Sequence, residues 1–274
     1  MTGGRRPPRW IVDPDVLPVG DPLPSAVRAA GGAVALCDSS DPEDLDRVAG
    51  CGSAVFRGSV EAAAAWTAAG APIGVWANFP ALRFEEYSGP LRPWLLNADP
   101  VRLTLAELAD RRDAVLDRVG VDGRAFVRPD AASKPFAGTQ LRAATWQADV
   151  ERLAFYDVAP AEPVLACRPR RVECEWRAVI AAGAVVAGCL YRKAVGPRVE
   201  PGLPEPVRRL AEKAAASGYA PDSLWCLDLC ESGGDLFVLE VGAFACASLY
   251  GCDRGAVVAA AHAALAAEPV PLSR

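Results

Sequence analysis

The first hundred residues alternate short apolar runs that resemble strands with alanine-rich runs that resemble helices. The strand-like runs are RWIVD, AVALCD, SAVFRG and PIGVWA, and the helix-like runs are PLPSAVRAAG, DPEDLDRVAG and SVEAAAAWTAAG. Gly31, Gly50 and Gly70 stand where three of these helices would end. Consecutive parallel strands need a crossover connection, which is usually a helix. The sequence therefore predicts an α/β lobe with a parallel sheet over residues 1–100.

The rest of the chain has a different pattern, in which strands are joined as hairpins and helices stand apart from them. Thr104 and Glu107 have the spacing of a capping box at the start of a helix. Two hairpins are predicted, with turns at residues 182–183 and 233–234. Segregated helices and hairpins are typical of an α+β fold. We therefore predict an α+β chain with a second domain over residues 101–274.

Composition excludes several classes of protein. The chain has 274 residues with a net charge of −5 and contains no long basic run, so a nucleic-acid partner is not expected. The longest apolar runs, residues 178–190 and 255–267, are shorter than the roughly 20 residues that a membrane span needs. The opening MTGGRRPPRW has no apolar segment behind its arginines. We therefore expect no membrane association and a cytoplasmic location.

Cysteine and histidine limit the chemistry further. The nine cysteines form no CxxC pair, so they are expected to be reduced core residues, with a thiol nucleophile or metal ligand as the alternative. The one histidine, His262, lies in an alanine-rich helical run and is expected to pack or to face solvent. Histidine-based triads and histidine-rich metal sites are therefore excluded. Catalysis would depend on carboxylates, lysines and arginines.

The stretch FVRPDAASKPFAG is the first candidate for binding an anion. Neither a P-loop nor a GxGxxG fingerprint is present, so phosphate binding needs another device. Arg128 ends a predicted strand, and Lys134 lies in a loop of small residues that could fold over phosphates. The alternative is a solvated loop flanked by surface cations.

Two carboxylates in apolar strands form the second candidate. Asp228 lies in WCLDLCE and Glu240 in FVLEVGA, where an unpaired charge is unfavourable. An odd-length turn would place the two residues opposite each other, whereas a two-residue turn would place them on opposite faces. Facing carboxylates favour Mg²⁺ shared with ligand phosphates. The alternative is that each carboxylate pairs with a lysine or arginine at the strand edge.

The third candidate is the run ECEWRAV with the short apolar strand before it. Glu173, Glu175 and Arg177 alternate onto one strand face, where they could bind a ribose or cation and an anion. The alternative is a row of salt bridges on a solvated face. The backbone of PVLACRP, around residues 165–167, could pair with the flat edge of a base.

Taken in order, these motifs resemble the ATP-grasp superfamily. The patterns RPDxxxKPFxG, EWR, and LE followed by FxxxxLYxxD resemble its clade in which an arginine replaces the usual strand lysine. The resemblance extends from Val12 to Ala264 and includes RGS at residues 57–59 and LLN at residues 95–97. It implies an ATP-grasp fold behind an N-terminal α/β lobe.

The resemblance also implies roles for individual residues. Arg128 and Lys134 would bind the ATP phosphates, and Arg177 would stabilise the transferring phosphate or an acyl phosphate. Asp228 and Glu240 would bind Mg²⁺. The remaining nucleotide contacts, which are the linker backbone at the adenine and a carboxylate at the ribose, fall on Leu165, Ala166, Cys167 and either Glu173 or Glu175.

Members of such a family activate a carboxylate as an acyl phosphate and couple it to an amine. The resemblance therefore implies ATP and Mg²⁺ as cofactors and small carboxylate and amine substrates, such as amino acids or peptides. One departure is Gly242, which stands where the family usually has a metal-binding asparagine two residues after the last glutamate. The alternative function is a catalytically degenerate nucleotide-binding or regulatory protein.

Overall fold

A computed structural model describes residues 8–41, 43–44, 54–70, 74–130, 133–155 and 158–268. The strands are β1 Arg9–Val12, β2 Ala33–Leu36, β3 Ala54–Arg57, β4 Val101–Thr104, β5 Arg124–Pro129, β6 Thr139–Arg142, β7 Pro163–Cys167, β8 Cys174–Ala181, β9 Ala184–Lys193, β10 Gly196–Pro201, β11 Leu224–Ser232 and β12 Asp235–Ala243. The α-helices are α1 Leu23–Ala29, α2 Val60–Ala68, α3 Phe84–Leu91, α4 Leu105–Asp110, α5 Arg112–Val119, α6 Trp146–Ala154, α7 Glu205–Ala215 and α8 Arg254–Ala267.

The N-terminal lobe contains the predicted parallel sheet. Its strand order is β2–β1–β3, with β1 in the centre and both neighbours parallel to it. β3 is buried along its whole length, as expected for a strand covered on both faces. Gly31 and Gly70 follow α1 and α2 with φ of 75° and 63°, the left-handed geometry of a helix C-terminus. Gly50 and most of the DPEDLDRVAG run lie outside the described residues.

A smaller antiparallel sheet follows, with strand order β4–β7–β5–β6. Helices α4, α5 and α6 cover one face of this sheet and share a core with it. Both hydrogen bonds of the capping box at Thr104 and Glu107 are present. The expected single long helix is divided at Arg111, where φ is −110°. β4 was not predicted, because four residues directly before a helix give no periodic signal.

The third sheet is antiparallel, with strand order β10–β9–β8–β11–β12. Helix α7 packs on one face, against side chains such as Ala178 and Leu227. Helix α8 packs on the other face, against Val179 and Cys226, together with side chains of the N-terminal lobe. Mixed helices with parallel and antiparallel sheets confirm the predicted α+β class. None of the described helices is both long enough and apolar enough to cross a membrane.

The β11–β12 hairpin combines a short turn with a bulge. Its turn has two residues, Gly233 and Gly234, with φ of 63° and 86°, which only glycine adopts readily. With this turn alone, Asp228 and Glu240 would lie on opposite faces. A register shift after Asp228 inserts Leu239 as an extra residue in β12, so that Asp228 pairs with Glu240. The two carboxylates therefore share a face through the bulge rather than through the turn.

Candidate active site

A cleft of about 520 Å³ lies between the end of β5 and the central sheet. It contains cations and carboxylates from both sheets, together with aromatic side chains from α3, β9 and the chain after β12. The charged residues that line it are Arg128, Asp130, Lys134, Glu175, Arg177, Arg192, Asp228 and Glu240.

Arg128 is a partly buried cation at the end of β5. Its Nη2 donates a hydrogen bond to the Tyr87 hydroxyl at 2.6 Å. No carboxylate among the described residues forms an ion pair with it. Burial opposes its charge, but the Tyr87 hydroxyl and Glu240 outweigh this effect and raise the pKa of Arg128. Arg128 is therefore a permanent cation in the cleft wall with unused N–H groups.

Asp130 fixes the helix that carries Tyr87. Its buried carboxylate accepts a hydrogen bond at 2.8 Å from the backbone N–H of Phe84, the first residue of α3. Arg83 at the N-cap offers no side-chain acceptor, so Asp130 takes that role from β5. Burial raises the pKa of Asp130 above its usual value. These contacts hold α3 and Tyr87 against β5 and so orient Arg128.

Lys134 lies in the loop between β5 and β6. Its backbone is left-handed, with φ of 48°, and its exposed ammonium group forms an ion pair with Glu240. The loop is anchored by Phe136, which is buried in the core of the small sheet. Gly138 passes so close to Phe126 that a Cβ would lie 2.6 Å from the ring. The structure thus brings Lys134 and Glu240, 106 residues apart, to one side of the cleft.

Arg177 and Asp228 are paired side by side on β8 and β11. The Arg177 Nε and Nη2 donate to the two carboxylate oxygens of Asp228 at 2.8 and 2.7 Å, and both side chains are nearly fully buried. Nη1 donates to the Ser248 carbonyl at 2.7 Å. Burial disfavours the guanidinium charge, but Asp228 outweighs burial and raises the pKa of Arg177. A guanidinium has five N–H groups and three are used, so two remain.

The residues predicted to bind Mg²⁺ offer a small set of oxygen donors. Asp228 and Glu240 are cross-strand neighbours in the cleft, and both bind cations of the protein, Arg177 and Lys134. The described residues contain no group of three histidine, cysteine or acidic side chains that could hold a metal. Carboxylate oxygens are hard donors, and Mg²⁺ commonly takes only one or two of them plus phosphate oxygens and water. The pair therefore fits Mg²⁺ that arrives with a nucleotide.

The two candidate ribose carboxylates have different surroundings. Glu175 lines the cleft, accepts a hydrogen bond from the Tyr191 hydroxyl at 2.7 Å and lies 3.6 Å from Arg192 Nε. Glu173 does not line the cleft and instead accepts a hydrogen bond from the backbone N–H of Gly233 at 3.2 Å. Of the two, Glu175 is the one placed to contact a ligand.

The expected adenine contact needs a correction. Leu165 and Ala166 pair with β4 on one side and with β5 on the other, so their peptide groups belong to the sheet. They cannot also bind a base, and the prediction is wrong for these two residues. The β4 pairing ends at Ala166, which leaves Cys167 as the first residue with an open side. The extended segment after it, residues 168–173, reaches Val172 in the cleft wall.

Three aromatic residues of the cleft were missed from the sequence. Tyr87 holds Arg128, while Tyr191 and Tyr250 stack on each other with ring centroids 4.7 Å apart and both lie against Arg177. Tyr191 is the extra residue at a register shift in β9, which no periodicity reveals. Tyr250 belongs to the LY of the quoted FxxxxLYxxD pattern, which was the one available signal.

Three arginines from different parts of the chain bind the loop formed by residues 244–252, which we call the C-terminal loop. Arg57 of β3 donates to the carbonyls of Phe244 and Ala247, and Arg177 donates to that of Ser248. Arg254, at the start of α8, donates to three more, those of Leu249, Tyr250 and Cys252. Burial lowers the pKa of Arg57 to about 10, and its Nε has no partner among the described residues. The loop beside Arg177 is thus fixed by its backbone.

The cysteines and the histidine do not contribute to the cleft chemistry in the described part of the chain. The eight described cysteines are free, and six of them are buried. Burial raises the pKa of Cys167, beside the cleft, to about 11, which disfavours a thiolate nucleophile. His262 accepts a hydrogen bond from Trp10 Nε1 at 3.0 Å and packs between the N-terminal lobe and α8. This agrees with the packing role expected for it.

Solved structures of ligases share the fold of this chain. D-Cycloserine synthetase DcsG is 18% identical with a TM-score of 0.67, and the alignment covers 94% of this chain and 98% of that one. ATP-grasp ligase PsnB with a minimal precursor is 15% identical with a TM-score of 0.56, covering 94% and 99%. D-Alanine–D-alanine ligase from Bacillus anthracis is 13% identical with a TM-score of 0.56, covering 86% of each chain.

Comparison by sequence gives the family directly. No curated protein sequence matches this chain. A family model for the ATP-grasp domain, family 3 of the arginine-to-lysine clade, matches residues 92–261, which include the small sheet, the central sheet and most of α8. Together with the shared fold, this match shows that the chain belongs to the ATP-grasp superfamily and, within it, to family 3 of that clade.

Proposed function

We propose that this protein is an ATP- and Mg²⁺-dependent ligase that joins a carboxylate to an amine through an acyl phosphate. The observation that carries the proposal is the pairing of two different cations in one cleft. Arg128 has no carboxylate partner among the described residues, and Arg177 is held rigidly with two N–H groups left over. Such an arrangement supports binding of an anionic ligand by Arg128 and charge stabilisation at a fixed point by Arg177.

The chemistry of phosphoryl transfer suits these residues. A substrate carboxylate oxygen attacks the γ-phosphorus of ATP, the bond to the β,γ-bridging oxygen breaks, and ADP leaves. The amine then attacks the acyl carbon, inorganic phosphate leaves, and the amine gives up a proton to water. Neither step needs a histidine base, because positioning and charge neutralisation supply most of the catalysis.

Each cleft residue has a proposed role in that sequence. Arg128 and Lys134 bind phosphate oxygens, with Lys134 on the loop that covers them. Arg177 binds the carboxylate and the acyl phosphate formed from it. Glu175 contacts the ribose, and Asp228 with Glu240 would hold Mg²⁺, which when bound neutralises phosphate charge. Cys167 and the segment after it lie where the adenine would bind.

The substrate class proposed is an amino acid or a short peptide. The named neighbours include a D-alanine–D-alanine ligase and a ligase complexed with a precursor peptide, and the common feature of those names is an amino-acid-derived substrate. The cleft of about 520 Å³ must hold both the nucleotide and the acid. A small acid beside a nucleotide suits that volume better than a folded protein partner.

A second candidate is nucleotide binding without ligation, and two observations favour it. Gly242 provides no side-chain ligand for a metal, and Asp228 already accepts two hydrogen bonds from Arg177. Both features weaken a metal site. A protein of this kind would bind ATP and respond to it without releasing ADP.

ADP release separates the two candidates. The ligase should release ADP only when a carboxylate and an amine are both added, tested with amino acids and dipeptides in pairs. Glu240→Gln should reduce this release at least 100-fold, as expected when a group that neutralises transition-state charge is lost. Glu231→Gln, on the same hairpin but outside the cleft, is the control and should retain the wild-type rate. ATP binding with no ADP release for any pair would contradict the ligase and support the second candidate.

A further inference from the structure

Tyr250 has a backbone conformation that a tyrosine rarely adopts. Its φ is 42°, in the left-handed region where glycine is favoured and bulky side chains are outliers. Such a conformation persists only where the surrounding structure enforces it, and these positions concentrate at functional sites. The observation raises the question of what holds Tyr250 there and what its ring does.

The backbone around Tyr250 is held from two sides. Arg254 Nη2 donates to the Tyr250 carbonyl at 2.9 Å, and Arg254 is itself bound by both oxygens of Asp21 at 3.0 and 2.6 Å. Gly251, the next residue, lies so close to the central sheet that a Cβ there would be 2.8 Å from Val199 Cγ1. The corner is therefore fixed by the N-terminal lobe and by the sheet together.

This geometry places the Tyr250 ring at the wall of the cleft. The ring stacks on Tyr191 with an interplanar angle of 9°, and the Arg177 Cζ lies 5.2 Å from the Tyr250 centroid and 5.6 Å from that of Tyr191. The Tyr191 hydroxyl donates to Glu175, which holds that ring in place. Tyr250 remains 39% exposed, and its hydroxyl has no hydrogen-bond partner among the described residues. The exposed part of the ring therefore borders the space next to Arg177.

We infer that Tyr250 is a specificity-determining residue that closes the acyl end of the cleft and selects carboxylate substrates with a small side chain. This inference rests on the proposed function, in which Arg177 binds the carboxylate. A carboxylate on the two remaining N–H groups of Arg177 has its α-substituents beside the Tyr250 ring. Acids of the size of glycine or alanine fit there, whereas a bulky side chain meets the ring, which the fixed backbone prevents from moving aside.

Tyr250→Gly is the informative variant, because glycine accepts a positive φ without strain. Removing the ring while relieving the backbone should leave the melting temperature unchanged or higher, so lost activity would not come from unfolding. Tyr250→Phe keeps the ring and removes only the hydroxyl, and it serves as the matched control. The measurement is kcat/KM for ADP release with one amine and a series of acids from glycine and alanine to leucine and phenylalanine.

The expected result is a change in ranking. Tyr250→Gly should raise kcat/KM for phenylalanine relative to alanine by about tenfold or more, the size of effect that pocket shape gives. The change should lie mainly in KM for the acid, and Tyr250→Phe should keep the wild-type order. An active wild type whose ranking is unchanged in Tyr250→Gly would overturn this inference alone. A wild type that releases no ADP with any acid and amine would overturn the proposed function and this inference with it.

Discussion

Arg128 and Arg177 face the same cleft from two different sheets, and the protein holds them in different ways. Arg128, at a strand end, donates one hydrogen bond to a tyrosine hydroxyl and has no carboxylate partner among the described residues. Arg177, in the middle of a strand, binds Asp228 with two N–H groups and a loop carbonyl with a third. The first arginine can exchange solvent for a ligand anion, whereas the second is oriented before any ligand arrives. The comparison suggests a division between binding and positioning.

Removing the partner of Arg177 should have the largest effect. Asp228→Asn leaves a buried guanidinium without a counter-ion, and breaking such a pair typically costs about 3–5 kcal/mol of unfolding free energy. ADP release should fall at least 100-fold, since Arg177 also loses its orientation. Urea unfolding and an ADP assay measure the two effects. Asp235→Asn, an exposed residue on the same hairpin, should change neither, and wild-type stability in Asp228→Asn would contradict the assignment of Arg177 as fixed.

The matching change at Arg128 should separate binding from stability. Arg128→Met removes a cation that no described carboxylate neutralises, so the unfolding free energy should stay within about 1 kcal/mol of the wild type. Nucleotide affinity should fall by about 10- to 100-fold, the value of a charge-assisted hydrogen bond to phosphate. Titration with a fluorescent ATP analogue measures it. Arg124→Met, exposed on the same strand, is the control, and equal loss of affinity in both variants would indicate a nonspecific charge effect.

A third change tests whether Gly242 limits the metal site. A Cβ at this position would meet only Cys226 Cβ, at 3.9 Å, so Gly242→Asn should fold. The added amide oxygen should raise Mn²⁺ affinity several-fold in the presence of a non-hydrolysable ATP analogue, because an oxygen ligand is added to a site with few. Mn²⁺ binding is followed by electron paramagnetic resonance. Gly242→Ala fills the same space without a ligand, and an equal gain in that variant would contradict the explanation.

The smallest effect lies away from both arginines, where the lone histidine joins the N-terminal lobe to α8. Burial lowers the pKa of His262, which accepts a hydrogen bond from Trp10 and so must be neutral. The folded state therefore binds the proton less well than the unfolded state, and stability should fall as the pH drops below about 6.5. Asp222, whose pKa burial raises to about 7, changes stability in the opposite sense over the same range.

The difference between the wild type and His262→Gln isolates the contribution of the histidine. Urea unfolding at pH 7.5 and pH 5.5 should show a loss of about 1 kcal/mol or less in the wild type beyond that of His262→Gln. Nucleotide affinity relative to folded protein should not change, since neither His262 nor Trp10 lines the cleft. Identical pH profiles in the two proteins would show that the Trp10 hydrogen bond does not titrate.

The parts of the site that could be predicted from the sequence are those carried by local motifs. Arg128, Arg177, Asp228 and Glu240 were found because each stands in a short pattern on one strand, and the structure places all four in one cleft. Their pairing across the sheets was left open, since facing positions depend on Leu239. A bulge is set by packing against neighbouring strands and has no signature in the strand itself.

The parts that could not be predicted depend on contacts between distant elements. Tyr87 reaches Arg128 from a helix 41 residues earlier in the chain, and no period connects the two. The adenine prediction failed at Leu165 and Ala166 because β4, the second neighbour of β7, is too short to recognise. Local propensity describes one segment at a time, whereas these contacts arise only when three segments meet.

The C-terminal loop also has a consequence for how the protein becomes complete during synthesis. Its arginine contacts join residues separated by 187 positions at Arg57 and Phe244, and the Asp21 bond to Arg254 joins residues 233 apart. Contacts of such sequence separation form slowly, because a long chain must be ordered before they stabilise it. The wall beside Arg177 can therefore form only after Arg254 has left the ribosome. We expect nascent chains that stop before α8 to contain folded sheets but no finished cleft.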